Sequence, residues 1–440
     1  MILREDTMTT NEFLKELGVP AVGNVCSEPI NCGAGLEIET ENGSFEDSFM
    51  LLSGGVSESM FREFLGALLK SGRKETFHRE RNGNIFAEFS GGEKKLVYTY
   101  YTAEKHEARV ILDAVSLPLR EYDDNEDDVR GDTALMQFSL RYGKMIRFVS
   151  CDCGMLYVLR LRDNSVIIVD GGEIEQATED ACDEIMCRLR DLTNTKDGEK
   201  IRVAAWFCTH NHDDHMDVFL KLLKREKDVL VVERVFYNFA SRTLFDYDNP
   251  CTDKMKRRIK EFAPNAKYLK LHTGQTVRFP DATFEVLSTH EDILPHSTRS
   301  APENVYRGMN ETTTIVQITF DDCSVIFLGD AEESNGEALI SLYGKNSLFC
   351  TYLQCAHHLI NDDRNIYGNV KAKKLLIPQC RYIAVTTERE NTNYLTSLFG
   401  EENMYYAGDC THVFTVRNGE PSITYFEQKG YFYDNSETLD

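Results

Sequence analysis

The pattern of hydrophobic and polar positions divides the chain into two parts. In SESMFREFLGALLK, residues 57–70, the apolar positions recur every three or four residues, which predicts an amphipathic helix. Short β-rich runs follow it, separated by the dipeptides Asn82-Gly83 and Gly91-Gly92, which are typical of hairpin turns. The first part is therefore predicted to be a helix packed on a few antiparallel strands.

From about residue 145 the pattern changes to apolar strand-like runs that alternate with helical ones. The helical runs are DACDEIMCRLRDL and VFLKLLKRE. The strand-like runs are MLYVLRLR, SVIIVDGG, KIRVAAWFCTH, VLVVERVFYN, TFEVLSTH, TTIVQITF, SVIFLGD and RYIAVTTE. This alternation indicates an α/β fold.

An acidic, turn-rich segment lies between the two parts. REYDDNEDDVRGD, residues 120–132, has the composition of a linker or a solvated loop. We therefore predict a small α+β domain at 1–140, with an acidic linker at about 120–140, and a second domain at 141–440. The sequence leaves the first domain open as an adaptor, a dimerisation unit or a cover over a substrate.

Composition and charge narrow the classes of partner. The chain has 440 residues, is 42% hydrophobic and 28% charged, and carries a net charge of −23, which works against extended nucleic acid and anionic membranes. A small molecule or a short nucleotide-type substrate fits this charge better. The 13 cysteines include no C-x-x-C pair, and the start, MILREDTMTTNEFLKEL, lacks the apolar core of a signal peptide. A cytoplasmic location is expected.

Residues 209–215 read THNHDDH and lie between a strand pattern and a helix pattern. The run IRVAAWFC ends at Cys208, and the helical pattern begins at Asp217, so the motif is a loop of the kind in which α/β folds place their sites. His210 and His212 are two positions apart, which in extended backbone puts both imidazoles on one side. They can therefore share one ion.

The rest of the motif can face a second point beside the first. Asp214 and His215 follow directly, and imidazole and carboxylate are ligands that zinc accepts, while the absence of thiolate leaves manganese or iron open. The alternative is a solvated loop or a helix start capped by Asp213 and Asp217. Caps do not require three histidines, so the spacing favours a metal site.

The pattern H-x-H-x-D-H resembles the signature of the metallo-β-lactamase superfamily, and the runs between about 145 and 430 follow the order that this fold requires. The resemblance implies an α/β fold, an αββα four-layer sandwich preceded by the small α+β domain. SVIIVDGG is similar to the strand whose closing Asp, here Asp170, supports the metal loop. SVIFLGD is similar to the strand before the metal-bridging Asp, here Asp330, and LQCAHHL to the strand before the last His ligand.

The resemblance also implies a ligand set. Of the pair in LQCAHHL we favour His357 as the ligand because it directly follows the strand, with His358 orienting it or contacting substrate. A Gly often follows the pair in this variant of the family, and this chain has Leu359. The predicted metal ligands are His210, His212, Asp214, His215, Asp330 and His357.

One ligand of the fullest family pattern is missing. A third His usually lies before the strand that precedes the bridging Asp, where this chain reads MNETTTIVQITF, with Asn310 and Thr312 to Thr314. The subgroup with this feature resembles the soluble hydrolase domain of the competence DNA-uptake protein. The loss implies one complete site and a weaker one at His210 and His212. His290 and His296 are expected to be loop residues near the site or substitute ligands.

The resemblance implies a metal-dependent hydrolase with one or two zinc ions, or manganese or iron. Two cations would lower the pKa of a shared water, and Asp214 would hold the resulting hydroxide as the catalytic residue. We expect a phosphoester substrate, in particular a phosphodiester. The alternatives are a lactonase or thioesterase with the same site, and a non-catalytic metal-binding scaffold protein.

Overall fold

The chain folds around three β-sheets. The computed structural model describes residues 7–39, 45–91, 94–113, 130–140, 155–173, 176–245, 251–295, 305–360, 364–417 and 420–427. Among these residues, no helix is both long and apolar enough to cross a membrane.

The first part of the chain forms an antiparallel N-terminal sheet with two helices. Its elements are α1 (Thr10–Leu17), β1 (Asn24–Val25), β2 (Ile30–Glu39), β3 (Phe45–Gly54), α2 (Glu58–Lys70), β4 (Lys74–Arg81), β5 (Asn84–Gly91), β6 (Lys94–Thr102) and β7 (Glu107–Asp113). The strand order is β1-β3-β7-β6-β5-β4, and β2 also pairs with β3. The predicted helix on antiparallel strands is confirmed.

Local sequence explains both the helix and the hairpin. The α2 helix begins at the predicted place because Ser57 accepts a hydrogen bond from the backbone N–H of Met60, which satisfies one of the free donors of the first turn. The β4–β5 hairpin turns at Asn82 and Gly83, whose φ values of 53° and 77° are those that such a two-residue turn requires.

The N-terminal sheet is covered on both faces. One face packs against α1 and α2 through an apolar cluster that includes Phe13, Phe61 and Val110. The other face packs against loops of the second part of the chain, where Tyr98 and Tyr100 belong to one cluster with Leu294, Tyr306 and Met309. The sheet is therefore joined to the rest of the molecule by a buried interface.

The second part of the chain contributes two further sheets. The second sheet and its helices comprise β8 (Ala134–Gln137), β9 (Leu156–Arg160), β10 (Val166–Asp170), α3 (Glu179–Thr193), β11 (Ile201–Phe207), α4 (Asp217–Arg225), β12 (Leu230–Val232), β13 (Arg234–Tyr237), α5 (Cys251–Phe262), β14 (Lys267–Lys270), β22 (Cys410–Arg417) and β23 (Glu420–Glu427). The third sheet and its helices comprise β15 (Thr276–Arg278), β16 (Ala282–Ser288), β17 (Ile315–Phe320), β18 (Cys323–Phe327), α6 (Glu333–Tyr343), β19 (Leu348–Gln354), α7 (Arg364–Asn369), β20 (Val370–Ile377), α8 (Arg381–Thr386), α9 (Arg389–Phe399) and β21 (Met404–Tyr406).

These two sheets form the inner layers of a four-layer sandwich. The second sheet has the order β14-β13-β11-β10-β9-β8-β22-β23, with β12 beside β11, and the third has the order β15-β16-β17-β18-β19-β20-β21. Apolar side chains from both sheets meet in one cluster between them. The outer face of the second sheet packs against α3, α4 and α5, and that of the third against α6, α7 and α9. The predicted αββα sandwich is confirmed.

One predicted strand is wrong. RYIAVTTE forms the helix α8, of which only Ile383 and Ala384 are buried. The place beside β19 is taken by β20, VKAKKLLI, whose lysines obscured a strand that pairs in parallel with both β19 and β21. A β-branched composition favours a strand only where a sheet offers a partner.

The predicted domain boundary at about residue 140 stays a prediction. Within the predicted linker, β8 is an ordered strand that pairs with β9 and β22 of the second sheet. The acidic residues before it, 114–129, lie outside the described residues.

The strand directions gather several loops at one edge of the sandwich. In the second sheet β10, β11, β13 and β14 are parallel, so their carboxyl ends share an edge. In the third sheet β18 and β19 are parallel, and β16 runs in the same direction because β17 is antiparallel to both β16 and β18. The predicted metal ligands lie after β11, β18 and β19, at this edge.

Candidate metal centre

Asp170 anchors the loop that carries THNHDDH. It is the last residue of β10, is fully buried and has a φ of 57°. Its carboxylate accepts hydrogen bonds from the backbone N–H and the hydroxyl of Thr209, at 2.8 and 2.9 Å, and from Nδ1 of His215 at 2.8 Å. The start and the end of the loop are thus held by one side chain.

The first candidate group consists of Asp214, His215, Asp330 and His358, each of which offers one ligand atom within 4.8 Å of the others. Nε2 of His215 lies 3.1 Å from Oδ1 of Asp330, and Nε2 of His358 lies 3.2 Å from Oδ2 of Asp214. Asp214 is the most exposed member, with 30% of its side chain accessible. The group opens to solvent on the Asp214 side.

The second candidate group consists of His210, His212 and Asp330. Nε2 of His210 lies 4.0 Å from Oδ2 of Asp330 and 2.9 Å from Nδ1 of His212. Asp330 therefore belongs to both groups and offers a different oxygen to each. The second group has one ligand fewer than the first among the described residues.

The polar atoms of the first group fit a bound cation. Among the described residues, Nε2 of His215, Oδ1 of Asp330 and both ring nitrogens of His358 are buried and make no hydrogen bond of normal geometry, although Nε2 of His215 and of His358 lie 3.1 and 3.2 Å from the carboxylates of Asp330 and Asp214. Buried polar atoms normally find partners, so several unpartnered atoms converging on one point indicate an ion as their partner. Four ligand-type side chains, two imidazoles and two carboxylates, suit zinc, manganese or iron.

The charges in the centre oppose each other. Burial alone would lower the pKa of His215 and His358, but Asp330 and the neighbouring carboxylates raise both above the ordinary histidine value. Burial, followed by the nearby His215 and His212, holds the pKa of His210 well below that value. Burial would raise the pKa of Asp330, yet His215 and His358 hold it well below the usual range. The carboxylate of Asp330, which both groups share, is therefore ionised.

The structure places His358, rather than the predicted His357, in the first group. His358 is 3% exposed and reaches both carboxylates, whereas His357 is 25% exposed and its Nε2 lies 3.8 Å from Asp330. The physical reason is the backbone: His357, His358 and Leu359 have φ values of 47°, 51° and 74°, a left-handed run that turns the second ring inward. The extended geometry behind the prediction does not continue past β19.

Gln354 is a positioning residue that the sequence did not reveal. Its Oε1 accepts hydrogen bonds from the backbone N–H groups of Leu328 and Gly329, each at 2.7 Å, and its Nε2 donates to the carbonyl of Gly329. The N–H of His357 donates to the same carbonyl at 3.0 Å. The loops that carry Asp330 and His358 are thus joined, and a Gln at the end of a strand offers no signal of this role.

The remaining predicted residues lie in three different places. Asn310 donates to Nε2 of His357 at 3.1 Å, so it lies beside the centre. His290 is fully buried and contacts Asn238 and Tyr306, outside both groups. His296 lies outside the described residues.

Threonines occupy the region in which the third His is missing. The N–H of Thr314 donates to the carbonyl of Thr209 at 2.8 Å, so this segment lies directly against the metal loop. Gly329 is required at the same contact, because a Cβ there would lie 2.7 Å from Cγ2 of Thr313 and 2.9 Å from Cβ of Thr209. The segment from Thr312 to Thr314 therefore lies beside the metal loop but offers no imidazole to it.

No protein-family model and no curated protein sequence matches the chain. Solved structures of metallo-β-lactamase fold proteins are similar to it. YhfI from Bacillus subtilis is 12% identical over 62% of this chain and 96% of its own, with a TM-score of 0.35. Zn²⁺-bound PqqB from Methylobacterium extorquens is 11% identical over 62% of this chain and 96% of its own, also at 0.35. Tm1679, a metal-dependent hydrolase of the β-lactamase superfamily, is 10% identical over 62% and 97%, at 0.34. The four-layer fold follows from the chain's own layers and strand order.

Proposed function

We propose that the protein is a metal-dependent hydrolase of phosphoesters, in particular of a small phosphodiester. The observation that carries this proposal is the convergence of Asp214, His215, Asp330 and His358, with buried and unpartnered atoms, beside a second group that shares Asp330. Two adjacent cation positions suit in-line displacement at phosphorus. The segment MNETTTIVQITF resembles the soluble hydrolase domain of the competence DNA-uptake protein, and this resemblance also favours a phosphodiester substrate.

In this proposal the first group holds one ion, and His210 and His212 hold a second, weaker one. Bound there, zinc, manganese or iron supplies an activated water and neutralises charge on the substrate. Asp170 holds Nδ1–H of His215, which fixes the ring with Nε2 toward the ion, as carboxylates behind metal-bound imidazoles do.

Asp214 is the proposed catalytic residue. It combines partial exposure with a carboxylate whose pKa is held low by His215 and His358, in spite of the burial that would raise it. An ionised oxygen at the open side of the group can accept a proton from an attacking water and orient it toward substrate.

His357 and Asn310 are the proposed substrate contacts. His357 remains partly exposed next to the group, and Nδ2 of Asn310 donates to its Nε2, which fixes the ring and leaves Nδ1 as the second polar atom. A hydrogen-bonding pair at the open side of a metal centre is suited to an ester oxygen. The net charge of −23 favours a small ester over extended nucleic acid.

Metal analysis and a substrate panel test the proposal. We expect at least one metal ion per chain, hydrolysis of bis(p-nitrophenyl) phosphate, and a loss of about 100-fold or more in kcat for Asp214→Asn. Asp213→Asn is the matched control, because Asp213 is adjacent, exposed and outside both groups. Less than one ion per chain, together with unchanged activity in Asp214→Asn, would contradict the proposal.

The same substrate panel distinguishes the phosphodiesterase from the alternatives, which are a lactonase, a thioesterase and a non-catalytic metal-binding protein. Turnover of a lactone or a thioester without turnover of the phosphodiester would retain the metal centre and replace the substrate class. Metal binding without turnover of any substrate in the panel would indicate a metal-binding scaffold.

A further inference from the structure

The N-terminal sheet contacts the sandwich at the edge that carries the metal centre. Arg109 of β7 is buried and donates to the carbonyls of Glu291, Asp292 and Leu294, in the loop after β16. Tyr100 of β6 donates to Asp292 at 2.7 Å. These contacts attach the sheet to loops that follow strands of the metal-bearing edge.

A protonated histidine, His272, also joins the N-terminal sheet to the sandwich. His272, which follows β14, faces Asp113 of β7 through Nε2 at 2.6 Å and Glu291 through Nδ1 at 2.9 Å. Both ring nitrogens face carboxylates, so both donate. Lys270 adds a second buried cation, 3.5 Å from Asp113. Two buried acids thus face two buried bases, and removal of one partner would leave a buried charge uncompensated.

The hydrogen bonds continue from Glu291 toward the metal centre. Nδ2 of Asn238 donates to Glu291 at 3.1 Å, so its Oδ1 is left to accept from Nε2–H of His290 at 3.0 Å. Nδ1 of His290 then carries no proton and accepts from the hydroxyl of Tyr306, 2.6 Å away, and the carbonyl of His290 is a second acceptor for this hydroxyl at 2.9 Å. We term Asp113, His272, Glu291, Asn238, His290 and Tyr306 the interface chain.

Tyr306 connects the interface chain to the substrate side of the centre. It lies in the segment 305–314, in which Met309 packs in the same apolar cluster as Tyr98 and Tyr100 of the N-terminal sheet. The next residue, Asn310, donates to His357. A displacement of Tyr306 or Met309 therefore moves Asn310 relative to His357.

We propose that the N-terminal sheet is a positioning element of the metal centre, which fixes Asn310 against His357 through the interface chain. In this proposal the sheet holds the substrate-contacting residues in place and is not a separate domain for binding a partner. The effect on substrate binding rests on the proposed function. The positioning of Asn310 itself can be measured without any substrate turnover.

Tyr306→Phe tests the positioning, because it removes one hydroxyl and keeps the ring in the apolar cluster. We expect amide hydrogen exchange in residues 306–314 to rise about tenfold, as the loss of one buried hydrogen bond permits local opening. We also expect faster modification of His357 by diethyl pyrocarbonate, read by peptide mass spectrometry. Tyr101→Phe is the matched control, since its hydroxyl faces His106 on the other side of the sheet.

A second variant guards against a merely structural effect. His290→Leu removes both ring nitrogens and with them the side-chain bonds to Asn238 and Tyr306, while the carbonyl of residue 290 still accepts from the Tyr306 hydroxyl. It should reproduce the rise in exchange in residues 306–314, but to a smaller extent than Tyr306→Phe. Unchanged exchange in 306–314 in both variants, or an equal rise over the whole chain, would overturn the proposal. Absence of phosphodiester hydrolysis in the wild type would reject the proposed function and leave this test intact.

Discussion

Asp170 accepts a hydrogen bond from Nδ1 of His215 at 2.8 Å, and Nε2 of the same ring lies 3.1 Å from Asp330. The carboxylate thus selects the tautomer that leaves Nε2 with a lone pair toward the candidate ion. Since Asp170 also holds Thr209 at the start of the loop, it controls both ends of THNHDDH.

Asp170→Asn is expected to weaken metal binding by about 10- to 100-fold, the usual effect of losing a carboxylate behind a metal-bound imidazole. Competition with a chromophoric chelator measures the affinity. Asp163→Asn is the matched control, because Asp163 is also a buried acid but lies in the turn at the far end of β10. Equal affinities of the two variants would contradict the role of Asp170.

The two adjacent histidines are expected to differ in function. His358→Ala should lower the metal content of the first group, because four candidate ligands then become three. His357→Ala should retain the metal and raise KM for the phosphodiester, since this ring is partly exposed and held by Asn310. Metal stoichiometry of the two purified variants decides the matter, and loss of metal in His357→Ala alone would restore the prediction made from the sequence.

The two groups are expected to fill in two steps. The first has four candidate ligands and the second has three, one of them shared. Zinc titration of the metal-free protein should show two affinities, and His212→Ala should abolish the weaker step alone. A single binding step, unchanged in His212→Ala, would show that the second group does not bind a metal.

Most residues of the two candidate groups could be predicted because each follows an apolar strand, and strand ends can be read from local patterns. The prediction of His357 assumed an extended backbone, whereas the backbone beyond β19 enters the left-handed region and brings His358 into the first group, which no periodicity indicates. The strand β20 was missed because burial in the third sheet outweighs its lysines. The interface chain could not be found, since Asp113 and His272 meet only through tertiary packing.

Leu359 has a φ of 74°, a left-handed conformation that favours Gly, yet its side chain is fully buried. Loss of a buried Leu side chain costs about 2–5 kcal/mol, whereas a left-handed conformation costs a non-Gly residue about 1–2 kcal/mol. Leu359→Gly should therefore still destabilise the protein. In urea unfolding it should, however, be at least as stable as Leu359→Ala. At Leu353 in β19 the opposite order is expected, with Leu353→Gly less stable than Leu353→Ala, because Gly is unfavourable in the interior of a strand. A lower stability of Leu359→Gly than of Leu359→Ala would indicate that the left-handed turn is absent.

His272 makes stability depend on pH in the alkaline range. Burial opposes its charge, but Glu291 and Asp113 raise the pKa of His272 to about 9, and Lys270 and Glu88 also face this region. A pKa raised in the folded state gives a contribution that is complete below the unfolded value of about 6.5 and is lost as pH rises through 9, about 3 kcal/mol in all.

Glu88 titrates outside the alkaline range in which His272 loses its proton. Burial raises the pKa of Glu88 to about 7, so its contribution to the free energy of unfolding is lost between pH 4.5 and 7. Buried thiols also lose protons more readily in the unfolded chain at high pH, so the quantity to measure is the difference between wild type and His272→Gln. Urea unfolding should show a steeper fall in the free energy of unfolding of the wild type between pH 7 and 9. Parallel curves for the two proteins would show that His272 does not titrate in this range.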